Sequence, residues 1–214
     1  LSVYFFWKCV NYNKKIDWIL LGFFSALCFL SKYLFIYLIA SFFIYFIFNF
    51  KTFKKLIPNC FLSLLIFFFF LIPHFIWLFE NNFVTVFYGL NRSGLSDFHI
   101  AKHFINPFIF LVKQILILIP FFVMFSVILK KLKFKFKINN KKIFFLISIN
   151  LIPIFLILLT SIITGAKIRT MWMTPFYLFL GTLFLEIFRK NIEMKKIKKF
   201  YYFFVFFFIL SPSL

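Results

Sequence analysis

The chain has 214 residues, of which 64% are apolar, only 14% are charged and 43 are phenylalanine; its mean hydropathy is +1.02. So little polar surface cannot coat a water-soluble globule, which excludes a soluble enzyme, a nucleic-acid-binding domain and a disulfide scaffold. The net charge of +20 comes from 25 Lys and Arg against 5 acids, but these cations bunch at the ends of apolar runs and form no stripe. The class is an all-α polytopic membrane protein.

Leu1–Val10 reads as the end of an upstream span, followed by a basic turn at Lys8, Lys14 and Lys15. Trp18–Phe48 is 31 mostly apolar residues, broken once by Ser31-Lys32-Tyr33. As one helix it would be about 46 Å long, too much for a ~30 Å hydrocarbon core. Two short spans, 18–31 and 33–50, meeting at Lys32 fit better, and Lys51, Lys54 and Lys55 then return to the side of Lys14 and Lys15. The next span is 56–79. The longest polar stretch, Glu80–Asn106, is an outer loop that holds Glu80, Arg92, Asp97, His99, Lys102 and His103. Spans at 107–129, 143–164 and 171–188 follow, and a last apolar run covers 200–214. Together they form a single transmembrane domain, and the start at Leu1 without Met and the stop inside an apolar run are the pattern of a piece of a longer protein.

Charge orients the spans. Loops assigned to the inside hold 3, 3, 7 and 6 basic residues, while the outer ones hold one (Lys32), two (Arg92, Lys102) and two (Lys167, Arg169). The lysine-rich loops therefore face the cytoplasm, and Glu80–Asn106 faces the periplasm or an equivalent compartment.

Little else in the chain announces chemistry. The five glycines form no phosphate-binding or dinucleotide motif, and Cys9, Cys28 and Cys60 have no metal spacing. His99 and His103 stand four apart, which suits an interfacial helix at headgroup level better than a metal site. The informative residues are the outer-side cations Lys32, Arg92, Lys102, Lys167 and Arg169. Arginine grips phosphate with a planar fork and lysine as a point charge, so this set suits a phosphate or pyrophosphate headgroup. Lys102 is assigned to the membrane surface.

Gly22–Ala40, GFFSALCFLSKYLFIYLIA, resembles a membrane helix of the protein-mannosyltransferase-like glycosyltransferases of the GT-C superfamily. In that helix a Gly precedes a small residue and Leu, then Leu-Ser-Lys-Tyr. IPHFIWLFENNF (Ile72–Phe83), FYGLNRSG (Phe87–Gly94) and HFINPFIFLVKQILILIPFF (His103–Phe122) follow in the family's order. AKIRTMWMTPFYLFLGTLF (Ala166–Phe184) is similar to its late Lys-x-Arg segment. The resemblance covers about residues 18–188 and is nearest to bacterial branches such as lipid A aminoarabinose transferases.

The resemblance implies a GT-C-type helix bundle and an inverting glycosyltransferase that moves a hexose or pentose from a polyprenyl-phosphate carrier. Its acceptor would be lipid A, core oligosaccharide, another glycan or a protein, at the periplasmic face of a bacterial inner membrane. It implies donor-phosphate contacts at Arg92 and Lys32, with Tyr33, Glu80, His103, Lys167 and Arg169 in support. The family's catalytic Asp is expected upstream of Leu1, so the catalytic residue of this chain is not assigned and Glu80 is not its base. No cofactor is implied, no divalent metal is indicated, and the partners are the lipid-linked donor, the acceptor and membrane lipid rather than nucleic acid. The alternative is a transporter or flippase for a lipid-linked glycan, which would want a mid-membrane acid; none is visible.

Overall fold

The computed structural model describes residues 1–49, 54–94, 99–130 and 140–210. Asp97, Lys51, Lys131, Lys133, Lys135, Lys137 and the tail 211–214 lie outside the described residues.

Described elements are helical apart from one isolated antiparallel bridge between Leu129 and Ile192. In chain order they are α1 (Ser2–Tyr12), α2 (Lys15–Ser31), a 3-10 turn at Tyr33–Phe35, and α3 (Ile36–Phe48). Next come α4 (Ile57–Glu80), α5 (Val84–Arg92), α6 (Lys102–Ile128) and α7 (Lys141–Thr164). A 3-10 helix at Thr170–Tyr177, α8 (Leu180–Phe188) and α9 (Ile197–Leu210) follow, and shorter 3-10 turns lie at Lys54–Leu56, Arg189–Asn191 and Met194–Lys196. Among the described residues three helices are long and apolar enough to cross a membrane, those ending at Glu80, Ile128 and Thr164. A fourth crossing is available if the pair Thr170–Tyr177 and Leu180–Asn191, bent by 48°, counts as one. The protein is an all-α polytopic membrane protein.

The chain breaks at Lys32, whose backbone is extended (φ −153°, ψ 120°) between α2 and the 3-10 turn. Its neighbours then fold back. Trp18 and Leu21 near the start of α2 share a buried cluster with Phe42 and Tyr45 near the end of α3. The two helices thus run antiparallel, α2 packing on α1 and α4 and α3 on α7. At ~1.5 Å per residue, their 17 and 13 residues are about 25 and 20 Å long.

Small residues let α2 meet the rest of the bundle. Gly22 faces α4 so closely that a Cβ there would collide with the carbonyl oxygen of Ser63 and come within 3.0 Å of Ile66 Cβ. Ala26, one turn on, is fully buried against Phe67 and Leu71 of α4. Lipid tails are as apolar as leucine, so helices in a bilayer associate through close van der Waals packing, and small residues four apart permit it.

The lysine-rich end is tied by specific bonds. Lys141 Nζ donates to Asn11 Oδ1 at 3.0 Å, joining α7 to α1. Asn13 takes the left-handed conformation (φ 51°) that ends α1, and its Oδ1 accepts from both Trp18 Nε1 and Asn59 Nδ2. Lys130 N donates to Asn191 O and Glu193 N to Ile128 O, closing α6 onto the turn before α9. Lys196 pairs with Glu193 at 3.1 Å, and that hydrogen bond holds the Glu193 carboxyl below the usual carboxylate range.

Charge asymmetry between the ends gives an expected topology. With Cys9, Cys28 and Cys60 replaced by Ala, an impermeant thiol reagent added to intact cells should label Asn82→Cys and spare Asn140→Cys. The reverse pattern would invert the orientation.

Candidate functional site

Opposite the lysine-rich end, five segments distant in sequence meet. Their first tie is Tyr33, whose hydroxyl lies 2.9 Å from His74 Nε2 of α4 and 2.8 Å from Thr85 Oγ1 of α5. Lys32, the residue before it, is exposed at the rim. The His74 ring also stacks on Trp77 at 6.1 Å between centroids.

Between α4 and α5 the chain turns through two successive left-handed residues, Asn82 (φ 49°) and Phe83 (φ 54°). Asn tolerates this conformation, whereas Phe pays roughly 1–2 kcal/mol for it. Phe83 N donates to Leu78 O at 2.9 Å, and the Phe83 ring rests on Phe79 at 5.0 Å. This tight elbow starts α5 inside the stretch expected to be an outer loop. The helix carries exposed Val84, Phe87, Tyr88 and Leu90. Arg92 ends it: Nη1 donates to Tyr88 Oη at 2.8 Å, and the guanidinium carbon lies 5.7 Å from the Tyr88 ring centroid. Tyr88, one turn back, thus fixes the direction of the fork while most of its five N–H donors stay available.

A second tie joins this helix to the segment after α7. Lys167 N donates to Ser93 O at 2.9 Å, so the residue after Arg92 is bonded directly to the Lys167–Arg169 segment. Both Lys167 and Arg169 are exposed.

The third tie is His103. Helix α7 ends at Gly165 in the left-handed conformation (φ 68°), leaving carbonyls of its last turn to be satisfied. His103 Nδ1 donates to one of them, Ile162 O, at 2.8 Å, and Asn106 Nδ2 donates to Gly165 O at 2.6 Å. A side chain at Gly165 would be strained by the positive φ, and its Cβ would sit 3.1 Å from His103 Nε2, so the ring would have to shift. His103 therefore works as a clamp between α6 and α7 rather than only as a headgroup-level residue.

Lys32, Arg92, Lys167 and Arg169 thus stand at one end of the bundle, with Tyr33 and His103 holding the elements that carry them. Glu80, at the close of α4, is exposed at this end. No group of His, Cys, Asp or Glu among the described residues is arranged to hold a metal ion. His74 and Thr85 are the residues that the sequence reading missed. The available signal was a histidine straight after Pro73 in an otherwise apolar run; His74 and Thr85 lie 41 and 52 residues in sequence from Tyr33, whose hydroxyl both contact.

Removal of the Tyr33 hydroxyl should loosen α5. A hydrogen bond is worth about 1 kcal/mol net, so Tyr33→Phe should lower thermal stability by a few degrees and speed tryptic cleavage after Arg92. Unchanged cleavage would mean that the hydroxyl does not hold α5.

A family model described as dolichyl-phosphate-mannose-protein mannosyltransferase matches residues 1–77. That stretch runs from α1 through α2 and α3 to Trp77, and so includes Lys32, Tyr33 and His74. No curated protein and no solved structure matches the chain significantly. The match covers the first 77 of the 214 residues, and it supports a GT-C glycosyltransferase-like protein.

Proposed function

We propose that the protein transfers a sugar from a polyprenyl-phosphate carrier to a lipid, glycan or protein hydroxyl, with the cationic end as the donor-phosphate site. The observation that supports this reading is that Lys32, Arg92, Lys167 and Arg169 stand at one end of the bundle, on elements linked by the Tyr33–Thr85 and Lys167–Ser93 hydrogen bonds. Four cations at one membrane-facing end suit a phosphate that arrives on a lipid.

In the reaction, the acceptor oxygen attacks the anomeric carbon from the face opposite the phosphate, with inversion. The carbon–oxygen bond to the carrier breaks, and the acceptor proton passes to a carboxylate. Negative charge develops on the departing polyprenyl phosphate. Arg92, oriented by Tyr88, offers two parallel N–H donors to that charge, and Lys32 adds a point charge. Donors already aimed at the developing charge need no reorganisation during reaction, which is where most electrostatic catalysis arises. Lys167 and Arg169 widen the positive field at the mouth. This end faces the periplasm of a bacterial inner membrane in our reading.

The test is transfer itself. Membranes containing the full-length natural protein should move radiolabelled sugar from a polyprenyl-phosphate donor onto an acceptor lipid or glycan. Movement of the intact donor across the bilayer without sugar transfer would instead favour a transporter.

A further inference from the structure

Lys113 is a cation inside the apolar part of α6. The polar start of that helix ends at Asn106, so Lys113 lies six residues, about 9 Å, beyond Pro107. Charge at such depth is costly unless it reaches the interface or meets a counter-charge. The described ion pairs are Lys8–Asp17 and Lys196–Glu193, and neither supplies one.

The bundle fixes which way Lys113 points. His103, Asn106, Phe110 and Gln114 share one face of α6 at helical spacing, and that face is turned inward. Phe110 is 2% and Gln114 4% exposed, and Gln114 Oε1 accepts from the Tyr177 hydroxyl at 2.5 Å. One residue earlier is a rotation of about 100°, which turns Lys113 away from the bundle, and it is exposed.

On that outward face Lys113 aligns with Ile117, Pro120 and Met124, since steps of four, three and four return to the same side. These three line an open recess of about 580 Å³, bounded on its far side by Phe204 and Phe208 of α9. The lysine stands one turn above the recess, toward the Arg92 end. An apolar recess with a lysine one turn above it is complementary to an amphiphile with an anionic head and hydrocarbon tails. A zwitterionic headgroup would bring an ammonium against the same lysine.

We propose that the recess between α6 and α9 binds one anionic membrane phospholipid, its phosphate on Lys113 and an acyl chain along Ile117, Pro120 and Met124. The site lies on a different face of α6 from the His103 clamp and does not depend on the transferase reading.

The test uses the full chain in nanodiscs with trace phosphatidylglycerol or phosphatidylcholine, each carrying a diazirine in its acyl chain. After illumination, phosphatidylglycerol should label peptides covering 116–124 and 204–208 about tenfold more than phosphatidylcholine, as one charge-assisted hydrogen bond allows. Lys113→Gln should abolish that preference, Lys113→Arg should keep it, and Lys198→Gln at the opposite end should leave it unchanged. Ile117→Trp keeps the cation but fills the recess, so it should cut the labelling even if Lys113→Gln fails to fold. Equal labelling by the two lipids, or labelling indifferent to Lys113→Gln or Ile117→Trp, would overturn the proposal. So would the absence of label from both lipids, since another protein segment would then fill the recess.

Discussion

Arg92→Ala should reduce transfer efficiency by about ten- to a hundredfold in the full-length natural protein, with little change in folding. Charge-assisted hydrogen bonds contribute roughly 1.5–3 kcal/mol each, and about 1.4 kcal/mol is a factor of ten. Arg92 is exposed, and its one side-chain hydrogen bond described here is to Tyr88, so its removal leaves no buried group unsatisfied. Arg92→Lys should recover little of the loss, because an ammonium has no planar fork and cannot keep the Tyr88 bond and a two-point phosphate contact in one plane. If Arg92 only touched bulk lipid headgroups, lysine would replace it with near-wild-type rates. Transfer rates for the two variants, beside Lys102→Ala at the same membrane level, decide between these outcomes.

Gly22→Val should be the most damaging single change to the fold. The obstacle is the backbone carbonyl of Ser63, which cannot rotate away as a side chain can, so α2 and α4 must separate. Overpacking a helix contact typically costs 1–3 kcal/mol, and more where backbone must move. We expect a loss of about 3 kcal/mol or more, seen as a large drop in thermal stability in detergent or as no folded protein at all. Gly89 is the control. Nothing lies within 4 Å of a Cβ built there, so Gly89→Ala should be tolerated or slightly stabilising within α5. Equal effects at the two glycines would show that the close contact between α2 and α4 is not what requires Gly22.

Some of this arrangement is legible in the sequence and some is not, for physical reasons. A 31-residue apolar run is too long for one crossing, and a lone lysine beside a serine is the natural place to break it, so the bend at Lys32 follows from length and charge. The kink after α7 is harder to read. Residues 171–188 are apolar enough to pass as one straight span, yet Pro175 cannot supply its backbone N–H, and the segment begins as a 3-10 helix before α8. Helix α5 hides in a stretch whose overall polarity reads as loop. Nine residues give too few turns for periodicity to stand out, and the elbow that starts the helix needs Phe83 in a conformation that Phe rarely adopts.

Long-range partners are the least legible part. Nothing in the local pattern says that Tyr33 will meet His74 and Thr85, or that Lys167 will meet Ser93, because those pairings are set by how the helices pack. What the sequence does carry is the set of short motifs around Lys32 and His74, which fall within the residues that the family model matches. Lys113 was overlooked for the opposite reason: an apolar average over α6 dilutes a single charge, and only exposure reveals it.

Phosphate recognition at the Arg92 end is the step on which the proposed transfer depends. It is tested most directly by equilibrium binding of a short-chain polyprenyl phosphate to the purified full-length protein, with the matching polyprenol as competitor. The phosphate-bearing lipid should bind, the polyprenol should fail to displace it, and Arg92→Ala should weaken binding about tenfold or more. Equal binding of polyprenol and polyprenyl phosphate, or undiminished binding in Arg92→Ala combined with Lys32→Ala, would contradict it.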